Sequence, residues 1–138
     1  MAKRRRGSRS APRRPARRIH DRFERLVEHA LDGIPAPFRA ALDEVAVVIE
    51  DDATDEQLEI AGLEPDEALY GLYEGTPRTE WGADLYPFPN KISLFRLSLE
   101  EDFPDPDELA QEVRITVIHE LAHHLGIDDD RLEELGLE

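Results

Sequence analysis

The chain has no cysteine, which excludes disulfides, thiolate zinc ligands and a cysteine nucleophile. Any metal it holds must be bound by histidine and carboxylate. Histidine is itself scarce: there are five (His20, His29, His119, His123 and His124), three of them within one short stretch. No apolar run approaches the roughly 18–20 residues that cross a bilayer. The basic first residues have no apolar segment behind them, so no secretory signal is expected and the cytoplasm is the expected compartment. Basic residues are rare outside the first 25 positions. Eleven of the seventeen Lys/Arg and two of the thirty-two acids lie in residues 1–25, a net of +9 that leaves −24 on residues 26–138 and −15 overall.

With 138 residues, the chain is long enough for one domain with a real core. Residues 1–18 (MAKRRRGSRSAPRRPARR) show no apolar periodicity and cannot bury enough surface to offset their ordering entropy. They read as a disordered basic arm ahead of a domain over residues 19–138. A solvated tail is the first reading of the arm. Association with nucleic acid through its arginines is the weaker one, because no aromatic residue is present there to stack on bases.

Within the domain, Ile19, Phe23, Leu26, Val27, Ala30 and Leu31 recur at helical spacing and Gly33 stops the run. His20 and His29 on this helix read as surface residues. A short helix over Pro37–Leu42 precedes Val45–Glu50, a β-branched run expected as a buried strand. Thr54 is placed to cap a short helix through Ile60. Leu69–Pro77 reads as a second strand, and Thr79–Asn90 as an irregular excursion whose Trp81, Tyr86 and Phe88 either line a cleft or plug a small core. Lys91–Leu99 is expected to be a third strand.

The clearest element follows. Asp105 is an N-cap, Pro106 the first helical residue and Glu108 the third, so a helix of some 20 residues, about 30 Å, should run to Leu125. Val113, Val117, Leu121 and Leu125 form one apolar ridge along it. Glu112, Thr116, His119, Glu120 and His123 form an adjacent polar stripe. His119 and His123 are four apart and share a face, where both reach one metal ion. Glu120 stands at the edge of that face, placed to act on a water rather than to bind the metal. Gly126 ends the helix and turns the chain, bringing back Asp129 as the third ligand, with His124, Asp128 and Asp130 as alternatives. Asp128, Asp129 and Asp130 also suit the cap of a final helix over Asp130–Leu135, and His124, one helical step off the ligand face, is expected beside the ligands or at the surface. Three protein ligands and an open position suit one zinc ion in a hydrolase, with Glu120 as general base.

The run His119-Glu120-x-x-His123-x-x-Gly126-x-x-Asp129, together with Gly71-Leu72-Tyr73-Glu74-Gly75-Thr76-Pro77, resembles a family of small bacterial zincin-like metallopeptidases with a minimal matrix-metalloprotease-like domain. The resemblance covers about residues 20–138. It implies an α+β zincin fold in which a three- or four-stranded mixed sheet packs on the active-site helix. It also implies peptide-bond hydrolysis, and an edge strand that pairs with an extended peptide or protein substrate; Ile92–Leu99 is the candidate for that edge. The chain departs from the wider metzincin pattern in one respect: its only methionine is Met1, so the methionine turn is absent. Tyr70, Tyr73 and Tyr86 are the tyrosines available to an oxyanion. A zinc-stabilised protein-binding module with weak or no catalysis is the alternative function.

Overall fold

The computed structural model describes residues 3–5, 16–75 and 90–134, with side chains described over 21–75, 90–128 and 130–134. The expected aromatic excursion with Trp81, Tyr86 and Phe88, and the side chain of His20, lie outside the described residues. In chain order the elements are β1 (Lys3–Arg5), α1 (Ala16–Asp32), α2 (Phe38–Ala41), a 3-10 turn over Leu42–Glu44, β2 (Ala46–Glu50), α3 (Asp55–Ile60), β3 (Glu67–Leu69), β4 (Gly71–Glu74), β5 (Lys91–Phe95), α4 (Arg96–Asp102), α5 (Pro106–Leu125) and α6 (Asp129–Glu134). The architecture is α+β, with a three-stranded mixed sheet in the order β2-β5-β4.

β5 is parallel to β2, pairing Val48 with Ser93, and antiparallel to β4, pairing Leu72 with Ser93. The strand expected at the sheet edge, Ile92–Leu99, is therefore central, and β4 is an edge strand among the described residues. That run is also not one strand. The chain leaves the sheet at Phe95 and Arg96–Asp102 is helical. The buried Arg96 guanidinium bonds Asp51 Oδ1 (2.9 Å from Nη2) and Glu100 Oε1 (2.6 Å from Nη1), and Leu97 N donates to Asp51 O. These contacts tie the start of α4 to the end of β2, and they satisfy the buried charge. Phe95, at the end of β5, and Leu99 of α4 are both fully buried, in the two different core clusters.

A second difference lies near the N-terminus. Three residues of the arm, Lys3–Arg5, form an antiparallel strand with β3, with Arg5 opposite Glu67, and α1 begins at Ala16 rather than Ile19. Backbone pairing needs no apolar side chain, so apolar periodicity cannot reveal it.

The alternation of β5 divides the core in two. Ile92 and Leu94 join Phe23, Val27 and Ala30 of α1 and Val113, Val117 and Leu121 of α5 in the larger cluster. On the other side Phe95 and Leu72 meet Leu58, Leu63 and Leu69. α3 in that smaller layer starts with the expected cap: Thr54 Oγ1 accepts from Gln57 N, and the Gln57 side chain accepts from Thr54 N. Arg114 of α5 reaches across to the end of α1, where Nε donates to Ala30 O at 3.2 Å.

α5 has the expected bounds at both ends. Asp105 Oδ2 accepts from Glu108 N at 3.0 Å. Gly126 adopts φ 75° and ψ 24°, a left-handed conformation that side chains with a Cβ resist. Ile127 N then donates back to Ala122 O at 2.7 Å, closing the helix end.

Candidate metal centre

His119 and His123 project from successive turns of α5, with ring centroids 5.1 Å apart and planes inclined at 66°. Both are partly exposed, and the His123 side chain keeps 37% of its surface. His123 borders a cavity of about 350 Å³ together with Gly126, Ile127 and Asp128. Glu120 is fully buried. Its Oε1 accepts from the backbone N–H of Tyr73 at 2.9 Å and lies 3.5 Å from His123 Nδ1. Its Oε2 is buried with no hydrogen-bond partner among the described residues. One oxygen of the carboxylate is thus held and the other is left to act.

The donor to Oε1 comes from the edge of the sheet. Tyr70 O accepts from Phe95 N at 2.9 Å, facing β5, so three residues on along the extended chain the N–H of Tyr73 points the other way, toward α5. β4 comes this close because residue 71 is glycine. A Cβ there would lie 2.6 Å from Thr116 Cγ2 of α5 and 3.3 Å from Ser93 O. Thr116, expected on a polar stripe with Glu120, is likewise buried, and its hydroxyl has no partner among the described residues. The stripe is therefore two surfaces, with the histidines of the pair toward solvent and Thr116 and Glu120 toward β4.

His124 belongs to the inner surface. It is fully buried, so of the two expected places, beside the ligands or at the surface, the surface is excluded. Its Nε2 donates to Glu44 Oε1 at 2.7 Å, and its Nδ1 is 3.1 Å from the Tyr73 hydroxyl, which donates to Asn90 Oδ1 at 2.9 Å. His124 is thus occupied as a link between Tyr73 and Glu44. Asp128 is occupied as well: Oδ1 accepts from Arg131 N at 2.9 Å, making it the cap of α6. Asp130 is exposed on the first turn of that helix. Asp129 is the first residue of α6, and its side chain lies outside the described residues.

No three His, Cys, Asp or Glu side chains among the described residues form a group able to hold a metal ion. The pair that is described nevertheless fits zinc. Two imidazoles one turn apart beside a carboxylate with a free oxygen are a donor set that takes this metal at an open site. Of the tyrosines considered for an oxyanion, Tyr70 donates to Asp102 Oδ2, Tyr73 bonds Asn90 and His124, and Tyr86 lies outside the described residues.

A family model described as zincin-like metallopeptidase matches residues 42–137. The chain belongs to this family. The match spans the 3-10 turn, the whole mixed sheet and α5, so the zincin-like metallopeptidase assignment rests on the segment that builds the site. No curated protein matches the chain. No helix among the described residues is long and apolar enough to cross a membrane.

That His119, Glu120 and His123 lie together on one helix was readable in advance from their spacing. The contributions of Gly71 and Tyr73 were accessible only through the Gly-Leu-Tyr-Glu-Gly run, and Glu44 had no signal at all. It meets His124 across 80 positions of sequence.

Proposed function

We infer that this zincin-like protein is a working zinc-dependent peptidase in which His119, His123 and Asp129 hold one zinc ion and Glu120 is the general base. One observation carries this reading: the Glu120 carboxylate, 3.5 Å from His123, has Oε1 fixed by the Tyr73 N–H and Oε2 buried without a partner among the described residues. A merely structural carboxylate in such a place would have both oxygens satisfied, because an unpaired buried polar atom is costly. Zinc held by these residues would supply a Lewis acid for the scissile carbonyl and would acidify the attacking water. Glu120 Oε2 takes a proton from that water and delivers it to the leaving amide nitrogen as the C–N bond breaks, giving a carboxylate and an amine. The fixed Oε1 keeps the carboxylate from rotating during both transfers.

The substrate is a peptide or protein segment in extended form, laid along β4 rather than along the central β5. Support comes from β4 pairing on one side only among the described residues, with its outer edge facing the α5 residues of the site. The body's net of −24 over residues 26–138 favours segments with basic side chains.

The test joins metal content by mass spectrometry with cleavage of a peptide library. Glu120→Gln should retain one zinc per chain while cleavage falls about 10²–10⁴-fold. A wild-type protein that binds zinc and cleaves nothing would leave the zinc-stabilised binding module as the function.

A further inference from the structure

Glu120 is held in place by a chain of contacts that ends far from it. Its Oε1 is fixed by the Tyr73 N–H at 2.9 Å. The Tyr73 side chain is in turn fixed at its far end, where the hydroxyl meets His124 Nδ1 at 3.1 Å and Asn90 Oδ1 at 2.9 Å. The rings of Tyr73 and His124 are 5.6 Å apart and inclined at 59°. His124 is then fixed by Glu44 Oε1 at 2.7 Å, from the 3-10 turn that leads into β2. His124 is fully buried and stands one helical turn beyond Glu120 on the face of α5 that meets β4. The two residues therefore hold the same strand residue, one at its backbone and one at its ring.

We propose that Glu44, His124 and Tyr73 are positioning residues, a buried relay that sets the register of β4 on α5 and thereby aims the Glu120 carboxylate. Three features distinguish this from ordinary core filling. The relay is polar where an apolar side chain would fill the same volume at lower desolvation cost. It joins the edge strand β4 and the 3-10 turn before β2 to the catalytic helix through directional bonds rather than packing. It also terminates on the one backbone N–H that Glu120 uses. A base displaced by a fraction of an ångström loses much of its effect, and outer partners of this kind are worth about 10–100-fold. His123 and His124 then divide the work of two consecutive positions, one toward the metal and one toward the aim of the base.

The inference rests on the peptidase reading for its catalytic consequence, but not for its geometry, so two measurements are paired. In the full-length zinc-loaded protein, Tyr73→Phe and His124→Gln should each lower kcat about 10–100-fold with KM and zinc stoichiometry unchanged. The double variant should lose little more than either single one, because both break the same relay. Glu44→Gln, which keeps an acceptor for His124, should hold kcat near wild type, whereas Glu44→Ala should not. Independently of turnover, hydrogen exchange by NMR reads the Tyr73 amide. It should exchange at least about tenfold faster in His124→Gln and Glu44→Ala, while amides of Val113 and Val117 in the core of α5 stay protected. Additive losses in the double variant, or a Tyr73 amide indifferent to His124 and Glu44, would overturn the proposal. If wild type cleaves no peptide yet the amide responds as stated, the peptidase reading fails and the relay stands.

Discussion

Two consecutive residues of α5 meet opposite surroundings. His123 keeps 37% of its side chain in solvent and borders an open cavity, whereas His124 is fully buried between Tyr73 and Glu44. The same contrast separates His119 from Glu120 one turn earlier. The outer pair is partly exposed to solvent. The inner pair has its polar atoms committed to the protein, apart from Glu120 Oε2. A single helix can do both because residues 100° apart around its axis look onto different media. In this small zincin-like domain the spacing of the histidine pair comes from the helix itself, and the hydrogen bond that holds Glu120 comes from the sheet.

The comparison can be broken from either side. The largest effect should come from the outer face, where His119→Ala or His123→Ala removes stoichiometric zinc, read by mass spectrometry. The metal-free protein should change little in stability, within about 0.5 kcal/mol, because both side chains are partly exposed. A metal-free fold that collapses would show that these histidines are structural. On the inner face, Gly71→Ala should cost about 1–3 kcal/mol in denaturant titration, since the new methyl group presses on Thr116 and on the backbone of β5. Thr116→Val should act in the opposite direction and stabilise by roughly 1 kcal/mol, because the buried hydroxyl that it replaces has no partner among the described residues. A destabilised Thr116→Val would mean that the hydroxyl is satisfied by an ordered water.

The smallest effect belongs to Glu112, partly buried on α5 about two turns before His119. Burial pushes its carboxyl above the usual 4.5, so the folded protein binds this proton more tightly than the unfolded chain. Its contribution to stability is complete below pH 4.5 and is lost as pH rises through the folded-state value. Glu112→Gln should flatten that part of the stability profile and leave the variant slightly the more stable of the two at neutral pH, as measured by unfolding from about pH 4 to about pH 7.

What could be read from the sequence follows the same division. The bounds of α5 were legible because Asp105, Pro106 and Gly126 act locally, within one turn of each end. The His119–Glu120–His123 pattern was legible for the same reason. The α+β class and the zincin-like family were accessible from that pattern together with the Gly71–Pro77 run. The break at Phe95 was not, because Leu97 and Leu99 continue an apolar alternation that fits a strand as well as one helical turn; the decision lies with Asp51, 45 positions from Arg96. The central place of β5 was equally hidden, since pairing order depends on which edges meet and not on the strand's own residues. The burial of His124 required Glu44 and Tyr73, and no local rule links those positions.

The Tyr73–Glu120 hydrogen bond spans 47 positions of sequence, and this imposes an order in time. α5 carries its own caps and both histidines of the pair, so their spacing can be set as soon as that helix forms. Glu120 is aligned only after β4 has docked, an event that waits on closure of a long loop and on the parallel pairing of β2 with β5. A partly folded chain can therefore carry the two histidines at their final spacing before Glu120 has its Tyr73 partner.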